Sequence, residues 1–528
     1  MNSRTCAYVA SKSDPESWHG TESSTFYLDQ NWGIGITKWH CPHPPLDRED
    51  GGDNDGDNQY CVFHTDPTKV PDDVDENEAL LDALQDAGNG PWTDRPEHRG
   101  QFVGATFGAI DLSGETITAT DHHGIRFDHA RFKSNDASLN FTETKFVAEG
   151  RHHISFARTE FMATGYGSVE FEDATFRTDD EGEIVFDDAR FQAAGDVVFS
   201  DATFQTNGKG KVWFDDTMFQ AASDVRFENA TFRTDGEGGV WFGDATFRAA
   251  GCGSVRFIDA TFRGDGKGYV GFPMTTFRAD GEGYVRFWSA RFRSDGDGLV
   301  VFRYADLLNA DFREVEFGEA DFGGVDFTGT NLQEANIADI GLSGSTTCER
   351  LYEGYSDDRS TGLFSAPARL RRLYRGSEFD PEGWDATARA YHQLKIAFSE
   401  HGLVGRARNM HIRERRARSL EAKAVNGWFD RRHLRSLFSR VFTGYGVQVR
   451  NLVIWMVMLF VLSTAVYVYV GVEDTLMENI SYSVLAFTVA PPRIPSGVGV
   501  QLVMMVETFL GTLSIVLLGY ILGNRERF

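Results

Sequence analysis

Phenylalanine recurs through the middle of this chain in pairs five residues apart, and that period decides what the chain can fold into. Phe127/Phe132, Phe141/Phe146, Phe156/Phe161 and Phe171/Phe176 open a series that runs to Phe287/Phe292. Most pairs start 15 residues after the last, and two intervals, Phe186 to Phe199 and Phe214 to Phe227, are 13. A change of two keeps the same side chains facing inward, so the shorter intervals belong in turns. Two positions before the second Phe stands a small residue, as in Ala174-Thr-Phe176 and Ala245-Thr-Phe247; two before the first stands Val or Ile, as in Val212, Val240 and Val270. Turn signals such as Asp235-Gly-Glu-Gly238 separate the pairs. From Phe302 the spacing tightens to five: Leu307, Phe312, Phe317, Phe322, Phe327, Leu332, Ile337, Leu342. Identical apolar residues at a fixed period stack along an axis, each coil hiding its face against the next. At about 15–20 residues per coil and ~4.8 Å per strand step, the expected rod is roughly 60–75 Å long.

Units such as Ala310-Asp-Phe312 and Ala320-Asp-Phe322 strongly resemble those of pentapeptide-repeat proteins, tightly over 302–342 and more loosely over 102–301. The resemblance implies a right-handed, four-sided β-helix with about five residues per side. The longer period suggests a coil with one side replaced by a glycine turn. A solenoid also accounts for 43 Phe and 55 Gly in 528 residues. The Asp-Gly-x-Gly turns lack the fixed Asp of calcium-binding β-rolls and read as solvated turns. His122, His123, His152 and His153 read as surface residues in turns, and no catalytic constellation is visible, so an enzyme is not expected.

Acids number 78 against 52 bases, a net charge of −26, which argues against a general nucleic-acid binder. Few of the bases are Lys; such a chain suits a solvent of high ionic strength, and the composition is expected of a halophilic archaeon's protein. Five scattered Cys make no disulfide framework and point to a reducing compartment. The first twenty residues carry no apolar secretory run.

Residues 1–100 are polar and rich in Gly and Pro, and they contain Cys6, Cys41, Cys61 and His64, with His40 and His43 flanking Cys41. Three thiolates and an imidazole suit a structural Zn²⁺, which would explain how so polar a segment folds. The alternative is reduced cysteines in a loosely ordered cap; both stand open at this point. Asp53, Asp55 and Asp57 read as a solvated loop.

Residues 343–450 form a basic region. Two helices are expected around Gly402, one carrying Trp384, Tyr391, Leu394 and Phe398, the other an arginine stripe of Arg406, Arg408, Arg413, Arg415, Arg416 and Arg418. The stripe precedes an apolar span and reads as facing anionic lipid or an acidic protein surface rather than nucleic acid.

Residues 451–528 are the membrane end. Leu452–Val472 and Val498–Leu522 are long enough to cross a bilayer, and 478–490 suits a re-entrant helix. Arg450, Arg525 and Arg527 put both termini on the cytoplasmic side of a multi-pass protein. Ser481-Tyr-Ser-Val-Leu-Ala-Phe-Thr488 and Glu507-Thr-Phe-Leu-Gly511 resemble the pore helix and inner helix of two-transmembrane potassium channels, with Gly511 at the bendable position. Where that family has Thr-x-Gly-Tyr-Gly-Asp, this chain has Thr488, Val489, Ala490, Pro491, Pro492 and Arg493, so potassium selectivity does not carry over. The resemblance implies a homotetramer in membrane lipid. Three readings follow: a channel-like protein with a cytoplasmic solenoid and an unidentified cytoplasmic partner, a non-conducting membrane-anchored scaffold, or an acidic DNA-mimicking rod.

Overall fold

The computed structural model describes residues 6–19, 38–46, 60–85, 102–119, 124–280, 283–307, 310–318, 320–325, 327–337, 340–348, 351, 381–427, 429–446, 448–488 and 493–524. They fall into two units, Met1–Tyr352 and Glu353–Phe528.

The first unit is built on a parallel β-solenoid. Its four sides are three seven-stranded sheets and one six-stranded sheet. Pairing is in register: Phe161 lies beside Phe191 and Phe191 beside Phe219, so one coil takes 30 or 28 residues. This corrects the coil size expected from sequence, because the 15-residue unit is half a coil and spans two of the four sides. The rod is correspondingly shorter. From Phe102 to Leu342 its ten rungs, at ~4.8 Å each, give about 45 Å.

Four columns of phenylalanine fill the interior. Phe161 stacks on Phe191 with centroids 4.7 Å apart and planes 1° from parallel, and meets Phe171 of the facing column edge-on at 80°. Offset stacks and T-shaped contacts are the two arrangements that aromatic quadrupoles favour. The departure from a uniform five has a simple cause. Strands such as Glu160–Thr164 and Thr175–Thr178 run past their Phe and point a second residue inward, Ala163 and Thr178 respectively. The small residue two before the second Phe is fully buried throughout; where it is Thr, its hydroxyl donates to a carbonyl of the adjoining coil, as Thr217 does to Phe186 at 2.8 Å.

The corner after the first Phe of each pair turns through a residue with positive φ, among them Asp173, Asp188, Asp201, Asn229 and Asp259, which explains the Asp and Asn two after that Phe. The Asp-Gly-x-Gly turns stack where neighbouring backbones touch: a Cβ on Gly238 would lie 1.9 Å from the Gly210 carbonyl oxygen. Their aspartates pair with the arginines two residues before them, Asp235 with Arg233 and Asp265 with Arg263, each at 2.7 Å. His153 stands in a strand rather than a turn and faces Glu183 of the next coil at 3.5 Å; His122 and His123 lie outside the described residues. The coil then contracts: Thr276 pairs with Asp306, Arg286 with Asp311, and Val301 with Asp321, offsets of 30, 25 and 20 residues.

The second unit is helical. Helices α2 (Pro381–Glu400) and α3 (Val404–Asn426) form an antiparallel pair, packed through Trp384, Tyr391, Leu394, Phe398, Ala407 and Met410. Lys395 bonds Glu414 at 2.9 Å, and Arg418 of the arginine stripe pairs with Asp385. Then follow α4 (Arg431–Thr443), α5 (Val449–Val470), α6 (Leu476–Thr488) and α7 (Val498–Asn524). Helices α5 and α7 are long and apolar enough to cross a membrane. The remaining helix of ten residues, α1 (Glu76–Gln85), belongs to the first unit.

Candidate metal centre and candidate membrane unit

Four side chains scattered over 59 positions of sequence meet at the start of the solenoid. Strand β1 (Val9–Ser11) pairs antiparallel with β2 (Lys38–His40), which brings Cys6, just before β1, beside Cys41, just after β2. The 3-10 turn Val62–His64 supplies the other two, Cys61 at its cap and His64 at its end. Their ligand atoms all lie within 4.8 Å of one another. Cys41 Sγ is 3.6 Å from Cys61 Sγ, and Cys61 Sγ is 3.2 Å from His64 Nδ1. A tetrahedral ion with Zn–S of about 2.3 Å requires S–S separations of about 3.8 Å, so the donor set fits that ion. The outer face of the imidazole is also arranged: Nε2–H donates to the Val103 carbonyl at 3.0 Å, leaving the Nδ1 lone pair toward the thiols.

The surroundings hold the three thiols unequally. Hydrogen bonds from the Cys41 and Cys61 thiols hold Cys6 far below the usual thiol range, whereas burial pushes Cys41 and Cys61 up. A divalent ion would let all three ionise together. Tyr8 stacks on His64 at 3.8 Å, and its hydroxyl sits over Gly104, where a Cβ would come within 1.9 Å. Gly104 has φ +67, so the solenoid's first turn needs glycine on both grounds.

The cluster also closes the phenylalanine columns. His43 stacks on Phe102 at 5.1 Å, and Phe102 stacks on Phe127 at 4.8 Å. Phe63 meets Phe102 edge-on at 90°. Sequence gave no sign of this capping role for His43 and Phe63, because neither carries the repeat. Asp53, Asp55 and Asp57 lie outside the described residues.

In the second unit, α6 is too short to cross a bilayer and is held between α5 and α7. Glu507 of α7, fully buried, accepts from Tyr467 Oη of α5 at 2.6 Å and from Ser483 Oγ of α6 at 2.5 Å. Tyr467, Tyr482, Ala486, Val500 and Met504 pack around this junction. Gly511 serves close approach: a Cβ there would lie 2.5 Å from the Phe487 carbonyl oxygen. Thr488 turns its hydroxyl back on its own helix, donating to Val484 O at 2.9 Å. Arg493 pairs with Glu473 at 3.1 Å and donates to Val472 O at 2.5 Å. Val489, Ala490, Pro491 and Pro492 lie outside the described residues, as do Arg525 and Arg527.

Residues 305–344 match the family of pentapeptide repeats in eight copies. These are the residues of the contracted coil, where each side returns to five. Among solved structures, the chain is similar to HetL, a pentapeptide repeat protein involved in heterocyst differentiation regulation from the cyanobacterium Nostoc sp. strain PCC 7120, at 13% identity over 48% of this chain and 92% of that one, with a TM-score of 0.18. It is also similar to full-length QnrB1, a plasmid-mediated fluoroquinolone resistance protein, at 13% identity over 46% and 94%, with a TM-score of 0.13. No curated protein matches the chain.

Proposed function

We propose that this chain is a membrane-integral, channel-like protein whose second unit assembles as a homotetramer and whose zinc-capped solenoid docks a cytoplasmic protein partner, with no enzymatic or nucleic-acid role. The observation that carries it is the buried Glu507, which ties a helix too short to cross to both helices that are long enough. A buried acid in a span is costly unless it does such work. A re-entrant backbone is tolerable in a bilayer only where protein or water covers it, which one copy with two spans does not provide. Without the filter glycines, conduction would be weakly selective. Both termini would be cytoplasmic, and Cys6, Cys41, Cys61 and His64 would hold one structural Zn²⁺.

The test is reconstitution of the full chain. A tetramer in native-like bilayers, with potassium and sodium fluxes of similar size, is expected. A monomer would refute the channel reading, and strong potassium preference would refute the filter argument. The second reading, an anchored scaffold that does not conduct, is favoured by the prolines at the filter position and by the paired Arg493. A tetramer without flux would select it.

A further inference from the structure

Helix α4 is built the wrong way round for water. Asp430 caps it, accepting from the Arg432 and His433 amides at 2.7 and 3.2 Å. The side turned into the unit is polar: His433 is buried, with Nδ1 3.0 Å from Ser419 Oγ of α3, and Ser436, Ser439 and Thr443 are half-buried. The side turned outward is apolar. Leu434, Leu437, Phe438 and Val441, spaced three, four and seven from the first, form one exposed stripe, with Phe438 63% exposed. Arg431, Arg432, Arg435 and Arg440 are all exposed beside it, and no acid stands between Arg431 and Arg450.

The place of this helix says what covers the stripe. Phe442 stacks on Trp455 of α5 at 4.5 Å. Trp455 Nε1 donates to the Val441 carbonyl at 3.2 Å, and Asn451 Nδ2 donates to that of Arg440 at 3.3 Å. The end of α4 is thus fastened to the first turns of a membrane span, at the depth where Trp and Arg meet headgroups.

We propose that α4 lies in the plane of an anionic bilayer surface, its apolar stripe among the acyl chains and its arginines on headgroup phosphates. This rests on the reading that α5 crosses the bilayer. An apolar face flanked by Arg, with little apolar content elsewhere, is the pattern of interfacial helices.

The test uses the full chain, with Cys252→Ser and Cys348→Ser, in bilayers of equal phosphatidylcholine and phosphatidylglycerol. Nitroxides are attached at Phe438→Cys, Arg432→Cys and, in mid-span, Val461→Cys; the three clustered cysteines are buried. Accessibility to oxygen is compared with accessibility to a nickel chelate. The expected result is an oxygen-to-nickel ratio at 438 that is several-fold that at 432 and of the same sense as at 461. Replacing Arg431, Arg435 and Arg440 with Glu should lower the ratio at 438 and leave 461 unchanged. Lipid contact at 461 with water contact at 438 overturns this inference alone. Water contact at 461 overturns the membrane reading and this inference with it. A label at 438 shielded from both reagents, with spin–spin broadening, means that a second copy covers the stripe and also overturns it.

Discussion

Phe247 tests the stacked interior most directly, because its neighbour Arg248 provides a control one residue away on the same strand. Phe247 is fully buried, stacked on Phe219 at 4.6 Å and on Phe277 at 5.0 Å, and it meets Phe257 edge-on at 5.4 Å. Phe247→Ala removes the ring and leaves a cavity whose walls are stacked rings with little freedom to close in. Such truncations cost about 3–5 kcal/mol. Arg248 points outward and pairs with Asp280 at 2.9 Å. Losing an exposed pair costs at most about 1 kcal/mol. Because each coil touches only its neighbours, the damage should stay local. Hydrogen exchange of the full chain reads this out. A loss of about 4 kcal/mol raises local opening roughly a thousandfold, in peptides covering 214–222, 242–250 and 272–280, while 131–135 changes little. Arg248→Ala should change the same peptides less than about tenfold. Equal effects from the two substitutions, or an effect spread evenly over the rod, would refute the stacking argument.

The metal centre predicts one zinc per full-length chain by elemental analysis; Cys61→Ser should lose it and raise exchange first in residues 102–107, and wild-type protein without stoichiometric metal would end the idea. His129 is buried, and burial, helped by Arg158 nearby, holds its pKa down to about 3. The unfolded chain therefore binds a proton that the folded one refuses, so stability falls as pH drops below about 6.5 and the loss is complete near pH 3. His129→Asn, which tolerates the φ of +60 there, should remove about 2 kcal/mol of the loss between pH 7 and pH 5, measured as the difference between the two proteins' denaturation midpoints. Gly238→Ala should destabilise the rod by about 2 kcal/mol or more, because its Cβ meets the Gly210 carbonyl. Gly405→Ala, with open space around it in α3, should stabilise that helix by roughly 0.5–1 kcal/mol. Thermal melts that rank the two glycines alike would contradict both assignments.

The solenoid, the α2–α3 pair and the apolar helices α5, α6 and α7 were legible in the sequence for one physical reason. Each is specified by a local period, whether five for stacked rings, three to four for a helix face or an unbroken apolar run for a span. The coil was not legible. A period of 15 says that equivalent residues recur, but whether one unit or two close a turn depends on which strands pair, and Phe161 pairs with Phe191 rather than with Phe176. The Cys/His cluster was legible only as composition. Cys6, Cys41, Cys61 and His64 carry no regular spacing, and the antiparallel pairing of β1 with β2 is what gathers them. The polar junction of Glu507 with Tyr467 and Ser483 likewise joins residues 40 and 24 positions apart. The acid alone announced a role; the partners that give it one belong to the packing of three helices.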